Sequence, residues 1–231
     1  MNKEWRHVFK FENEESSGSM NIFDLALVIK NHLNDDECQL LIEEYERKKI
    51  IAKRETSRHP FNGEMTESGY KRVEIKESSK NFDLIKSKTE SALAIWLDYL
   101  QNKGMFSVVG LRGVLRHPNA FRILKYDVGN FIHPHTDWDH SHYASVTLNL
   151  NDGYSGGEFV FMNGQHKISL DKGDALVFPA DHFWVHETYP ILSGTRYSMN
   201  TFISSIHADD KHKVNQEIHR CLLERDSTFN L

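Results

Sequence analysis

The chain is 231 residues long, 39% hydrophobic and mildly acidic, with a formal net charge of −5. That length fits one all-β or α+β domain with embellishments and a sizeable core, and the composition carries no bias towards disorder. The acidic balance excludes a global attraction to phosphate backbones or anionic membranes, so neither nucleic acid nor membrane is an expected partner. Met1 to Phe11 is charged and lacks the apolar stretch of a secretory signal, and no run approaches the roughly 18 apolar residues that span a bilayer. Cys38 and Cys221 sit near opposite ends of the chain and read as idle thiols in a reducing, cytoplasmic setting.

In chain order, residues 1–19 are polar and end in a loop, Glu14-Glu15-Ser16-Ser17-Gly18-Ser19. Leu25 to Ile29 reads as a strand. Asn34 with Glu37 three residues on makes a capping-box start to a helix reaching about Lys48, with Leu40, Leu41 and Tyr45 at helical spacing. Lys48, Lys49, Lys53 and Arg54 read as a solvated helix end. Residues 52–70, with Pro60, Asn62-Gly63 and Gly69, read as a long loop or a lid. A second helix is expected over about Phe82 to Asn102, with Leu84, Ile85, Leu93, Trp96, Tyr99 and Leu100 as its packing stripe.

From Arg122 the pattern changes. Short β-rich runs at 121–126, 143–150, 157–162, 166–170, 174–179, 183–190 and 195–204 alternate with glycine-marked turns. Strands at that spacing argue for a sandwich or barrel. A last helix is expected over Asp209 to Arg225, with Val214, Ile218 and Leu222 on one stripe. The expected architecture is α+β: one domain over 1–231, in which a supporting region (20–115, with the candidate lid 52–70) packs helices on one side of a barrel core (116–206). A C-terminal helix closes it (207–231).

His135 and Asp137 are two residues apart, and in an extended strand such residues project from one face. Two ligands on one face hold adjacent corners of an octahedral ion, and His186 is the leading candidate for the third. Two His and one carboxylate leave three open positions, which suit a chelating co-substrate plus O2. His133, His140, His142 and His182 compete for the role. Tyr126 and Gly129 before His135, the turn at Gly156-Gly157, the turn at Gly173 and Arg196 after His186 stand in register with this set. Arg is always charged and grips a carboxylate with a planar fork, so Arg196 suits the free end of a dicarboxylate. Ser198 shares its strand face and is placed to join the same carboxylate. Thr147 and Asn149, on one face of the 143–150 strand, are candidates for orienting the metal ligands, and Trp184 for walling the pocket.

Over Arg122 to Ile203 the sequence resembles the prolyl 4-hydroxylase-like branch of the Fe(II)/2-oxoglutarate dioxygenases, and Ala26 to Tyr45 is similar to the usual N-terminal part of these domains. The resemblance implies a double-stranded β-helix, a jelly-roll or cupin-like barrel. It implies that His135, Asp137 and His186 bind Fe(II), that Arg196 binds the distal carboxylate of 2-oxoglutarate, and that Tyr126 helps hold that co-substrate. O2 is the oxidant, with ascorbate as a candidate reductant. The presence of Asp137 speaks against the halogenase variant, and Phe202, six residues after Arg196, stands where the nucleic-acid demethylases carry a second Arg. The implied activity is hydroxylation of a C–H bond with release of succinate and CO2. A prolyl residue in a protein or peptide is the first expected substrate; a free amino acid or other small metabolite is the alternative, and a non-catalytic cupin-like binding protein is the rival class. The oligomeric state stays open.

Overall fold

The computed structural model describes residues 21–58, 64–104, 108–139 and 141–225. The expected N-terminal loop, the turn at Pro60 and Asn62-Gly63, and His140 lie outside the described residues.

Helix α1 runs Asp35–Lys48, and its start is the capping box expected from the sequence. Asn34 Oδ1 accepts from the Glu37 amide and Glu37 accepts from the Asn34 amide, both at 2.9 Å. Two orphan donors are thereby satisfied, and the acidic first turn complements the helix dipole. The buried stripe is Cys38, Leu41 and Tyr45; Leu40 turns outward at 38% exposure, because it lies a full step off that row. Helix α2 spans Phe82–Asn102 and buries Ile85, Ala92, Leu93, Trp96 and Leu100. Helix α3 (Val108–Val114) follows it, and helix α4 (Ala208–Arg225) ends the described chain.

Strand β1 is Leu27–Ile29, preceded by a 3-10 turn over Ile22–Leu25 that takes the first part of the expected strand. Among the described residues of the 52–70 segment, β2 (Thr56–Arg58) and β3 (Met65–Glu67) pair antiparallel. Strand β4 (Lys71–Ile75) has no counterpart among the sequence expectations. Its charged residues hide a period of two, in which Val73 and Ile75 are buried and Arg72 faces the other way. The later strands are β5 (His117–Tyr126), β6 (Ile132–His135), β7 (His142–Asn149), β8 (Ser155–Gly156), β9 (Phe159–Phe161) and β10 (His166–Ile168). They continue with β11 (Ala175–Pro179), β12 (His186–Thr188), β13 (Ile191–Ser193) and β14 (Arg196–Ser204). The expected strand over 183–190 is shortened to β12, and β13, which was not expected, follows Pro190, a residue with no amide hydrogen to donate.

Six strands form one antiparallel sheet in the order β1-β11-β7-β14-β5-β4, and four form a second in the order β10-β9-β12-β6. The larger sheet is apolar on both faces but in different ways. Val146, Leu148, Val177, Met199 and Ile123 pack against α1 and α2, joined by Trp96 and Tyr45. Leu176 and Phe178 point the opposite way and meet Phe159, Phe161 and Trp184 from the smaller sheet side. Each such fully buried side chain stabilises the fold by about 1.5–3 kcal/mol. The helices are thus stacked on one side of a two-sheet barrel, as expected. Gly173 shows how tightly the layers meet. It has φ of +82°, and a Cβ there would fall 2.4 Å from the Leu33 carbonyl oxygen, just before α1.

The inner face of the larger sheet is polar along one stretch. Ser145, Thr147 and Asn149 of β7 lie opposite Phe202, Asn200 and Ser198 of β14, and Arg122, Leu124 and Tyr126 of β5 continue the rows. This is the face that carries the site.

Candidate metal centre

Strands β12 and β6 pair so that His186 lies directly opposite His135. Asp137 follows two residues after His135, just past the end of β6. One ligand atom from each of the three residues lies within 4.8 Å of the others. His135 Nε2 is 3.3 Å from Asp137 Oδ1, and His186 Nε2 is 3.4 Å from Asp137 Oδ2.

The ring nitrogens are sorted by their partners. His135 Nδ1 donates to the His133 carbonyl at 2.8 Å, and His186 Nδ1 donates to the Trp184 carbonyl at 2.9 Å. A carbonyl can only accept, so both neutral rings carry their proton on Nδ1 and turn a bare Nε2 lone pair towards Asp137. Burial pushes the His186 pKa down to about 4 against the pull of Asp137, which keeps the ring neutral. Burial also works to raise the Asp137 pKa, but His186, His135 and the Ser145 hydroxyl outweigh it and hold the carboxyl far below its usual range. At His135 burial is outweighed too, and the neighbouring Asp137 draws its pKa up. Two imidazoles and one ionised carboxylate on one side of a space make a donor set that suits Fe(II).

The competing histidines that are described do other things. His142 sits with Nδ1 3.0 Å from the Asp137 carbonyl and Nε2 3.0 Å from Asn119. His182 stacks on Trp138, with ring centroids 3.9 Å apart, and His133 packs edge-on against Phe131.

Arg196 begins β14 and is 1% exposed. Its Nε donates to Asn149 Oδ1 at 3.1 Å, while its buried Nη1 has no hydrogen-bond partner among the described residues. The guanidinium lies 5.2 Å from the Tyr126 ring centre and 5.3 Å from that of Phe159. Gly157 packs beside it with φ of +75°, and a Cβ there would fall 2.6 Å from Ile191 Cδ1. An unpaired buried cation costs several kcal/mol. An orphaned guanidinium nitrogen is therefore what a carboxylate site should contain before its ligand arrives. Tyr126 is directly opposite Arg196 in the sheet, and burial pushes its hydroxyl up to about 12, against the Arg196 charge and a hydrogen bond with Ser198.

The expected supporting residues are placed as follows. Asn149 does not touch the metal-competent set; it accepts from Arg196 and donates to the Leu170 carbonyl at 3.2 Å. The group that orients Asp137 is Ser145, whose hydroxyl donates to Oδ2 at 2.6 Å. Ser145 lies on the same β7 face as Thr147 and Asn149, one step nearer the mouth, so the alternation was readable but the register was not. Trp184 does not wall the cavity, because the strand starts only at His186 and the indole turns into the cluster of Phe161 and Phe178; its backbone carbonyl does the work instead. Ser198 donates to Asn200 Oδ1 at 3.0 Å and stands beside Tyr126 on the Arg196 face. Thr147 does line the cavity.

That cavity is about 460 Å³ and is lined by His135, Asp137, His186, Phe159 and residues of the β2–β3 segment and β4. Arg196 and Tyr126 are not among its lining residues; Phe159, which is, packs on the Arg196 guanidinium. At its other end is a cluster absent from the sequence expectations. Glu55 accepts from Arg122 Nη1 at 2.9 Å, pairs with Arg72 Nε at 2.8 Å and takes the Tyr70 hydroxyl. Burial would raise its pKa, but the Arg122 charge, Tyr70 and Arg72 hold it below the usual carboxylate range.

Residues 121–204 match the family model of the 2OG-Fe(II) oxygenase superfamily. Over these residues the chain is similar to the 2OG-Fe(II) oxygenases. That family implies Fe(II), 2-oxoglutarate and O2, and both the donor set and the orphaned Arg196 nitrogen fit them. A PKHD-type hydroxylase of Cupriavidus pinatubonensis is 37% identical to this chain over 115 residues, which is 48% of this chain and 43% of that protein. The chain thus spans less than half the length of that relative. A prolyl-4-hydroxylase of Pseudomonas putida superposes with a TM-score of 0.58 at 19% identity, covering 78% of this chain and 92% of that one. A Trichoplax adhaerens prolyl hydroxylase, solved with a hypoxia inducible factor peptide fragment, gives 0.59 at 16% identity, covering 79% and 84%. These likenesses establish the double-stranded β-helix. No helix of the described residues is long and apolar enough to cross a membrane.

Proposed function

We propose that the chain hydroxylates a C–H bond, with His135, Asp137 and His186 holding Fe(II) and Arg196 and Tyr126 receiving the far carboxylate of 2-oxoglutarate. The observation that carries this reading is the convergence of three ligand atoms within 4.8 Å, with both histidines tied by Nδ1 to backbone carbonyls. Bound there, iron with 2-oxoglutarate and O2 supplies the oxidising power for oxygen insertion, with succinate and CO2 released.

The protein's part is to hold and shield. Ser145 fixes one oxygen of Asp137 and leaves the other free. The carbonyls of His133 and Trp184 hold the Nδ1 protons and so leave Nε2 of each ring as the ligating atom. Phe159 and Phe178 form an apolar wall beside His186, which keeps bulk water from the reacting space. The first substrate on this reading is a prolyl residue of a protein or peptide. The prolyl hydroxylase relatives point that way, one of them seen with a peptide, and the cavity opens beside the β2–β3 hairpin.

The test is succinate release with added Fe(II), scored with a mass gain of one oxygen on Pro-containing peptides against a panel of free amino acids. Wild type should release succinate and bind stoichiometric iron; His135→Ala and His186→Ala should do neither. Equal succinate release by all three proteins would overturn the reading, and oxygen gain on a free amino acid alone would replace the peptide substrate.

A further inference from the structure

The larger sheet holds two arginines on one inner face. Arg196 faces Tyr126 at one end; Arg122 faces Asn200, four residues further along β14. At about 3.3 Å per residue that separates the two backbone positions by roughly 13 Å. A five-carbon dicarboxylate chelating the metal is too short to serve both, so the Arg122 end is left for another group.

That end carries more positive charge than its partners neutralise. Arg122, Arg72 and Arg54 all line the cavity, against Glu55. Arg54 is held by neutral groups, donating to the carbonyls of Ser68 and Gly69 at 2.8 and 3.0 Å. The other lining carboxylates are committed elsewhere: Asp139 to Lys211 at 2.6 Å, and Asp137 to the two histidines. Glu74 lies 3.9 Å from Arg72 but is half exposed and outside the cavity wall. The Arg122 side chain is 13% exposed, has a buried Nε without a hydrogen-bond partner among the described residues, and lies 4.3 Å from the Phe202 ring centre. The fork is held between Glu55 and Phe202 and largely withdrawn from solvent, which favours pairing of its free edge with a carboxylate.

Resting on the hydroxylase reading above, we propose that Arg122 and Arg72, with Arg54 at the rim, form an anion subsite for the substrate, so that the molecule hydroxylated carries a carboxylate beside the reacting carbon. That carboxylate belongs to an acidic residue flanking the target in a peptide, or to a small free acid. Glu55 keeps the arginines in place without cancelling them, and Tyr70 connects the subsite to the co-substrate end through its ring contact with Tyr126 at 5.1 Å.

The experiment uses three peptides, identical except that the residue beside proline is Glu, Gln or Lys, and a small-molecule arm of free glutamate and aspartate against glutamine and asparagine. Binding to the full chain with Fe(II) and 2-oxoglutarate, O2 excluded, is read by calorimetry. Succinate release is read separately in air. The Glu peptide, or the free acids in the other arm, should bind about tenfold tighter than the neutral partner, equal to 1.4 kcal/mol. The preference should shrink as salt screens the charges. In Arg122→Gln or Arg72→Gln the preference should fall below about threefold, with a melting curve taken to exclude unfolding. Equal binding of acidic and neutral partners in both arms of wild type overturns the subsite, whatever the variants do. Succinate release with no acidic preference removes this proposal and keeps the hydroxylase. Acidic preference in binding without succinate release from any sample keeps the anion site but removes the hydroxylase reading, and with it the role of that site in placing a hydroxylation substrate.

Discussion

Two ends of one sheet face behave differently. At the Arg196 end the cation has a neutral amide for a partner, two aromatic rings for walls and one orphaned nitrogen. At the Arg122 end the protein supplies its own carboxylate, Glu55, which gathers two arginines and a tyrosine. The first end is electrostatically incomplete and awaits a charge from outside. The second is complete enough to be stable and still net positive. An arginine left without a carboxylate inside a fold marks a ligand position; an arginine that has one can still attract a ligand, but only through the surplus.

The largest effect that bears on this contrast lies between the two ends. Asp137→Ala removes the only carboxylate of the metal-competent set, and iron stoichiometry should drop to background by metal analysis, with succinate release lost. Retained iron would mean the ends flank something other than a metal centre. Next is Arg196→Gln, which takes away the incomplete end's charge. If a carboxylate pairs there, 2-oxoglutarate affinity should fall by about 2–5 kcal/mol, read by calorimetry in the presence of Fe(II). An unchanged affinity would make the two ends equivalent. Ser145→Ala should weaken iron binding by about 10- to 100-fold through misorientation of Asp137, measured by competition with a chelator, while an Asn149→Ala protein should leave iron binding alone.

The smallest effect sharpens the complete end. Glu55 has its pKa lowered in the folded state, so its contribution to stability is present above the unfolded value near 4.5 and is lost as pH falls through the folded value. Melting temperature should therefore decline on acidification below that value, and Glu55→Gln should flatten the decline at a cost of about 1–3 kcal/mol at neutral pH. A wild-type acid limb identical to that of the variant would show that Glu55 is not what holds the arginines.

Much of this was readable before any coordinates. Asn34 with Glu37 specifies the start of α1 because a capping box closes within four residues. The helical stripe of α2 and the turn glycines act over similarly short range. His135 and Asp137 stood out because a period of two puts them on one strand face, while the choice of His186 and Arg196 as their partners rested on the resemblance of Arg122 to Ile203 to a known family. What stayed hidden had to cross between segments. Ser145, not Asn149, reaches Asp137, since that choice depends on the β7 register against its neighbours. Trp184 contributes a carbonyl where a side chain was expected, since the strand begins two residues later. Glu55, Tyr70, Arg72 and Arg122 come from a hairpin, an edge strand and a barrel strand, and each alone looks like an ordinary surface residue. The sequence by itself determined the local elements and the chemical types at the centre, because those follow from backbone geometry over a few residues. Only the tertiary structure decided which polar groups meet and which are left unpaired, because burial and strand register, set by packing of the whole sheet, make those pairings strong or costly.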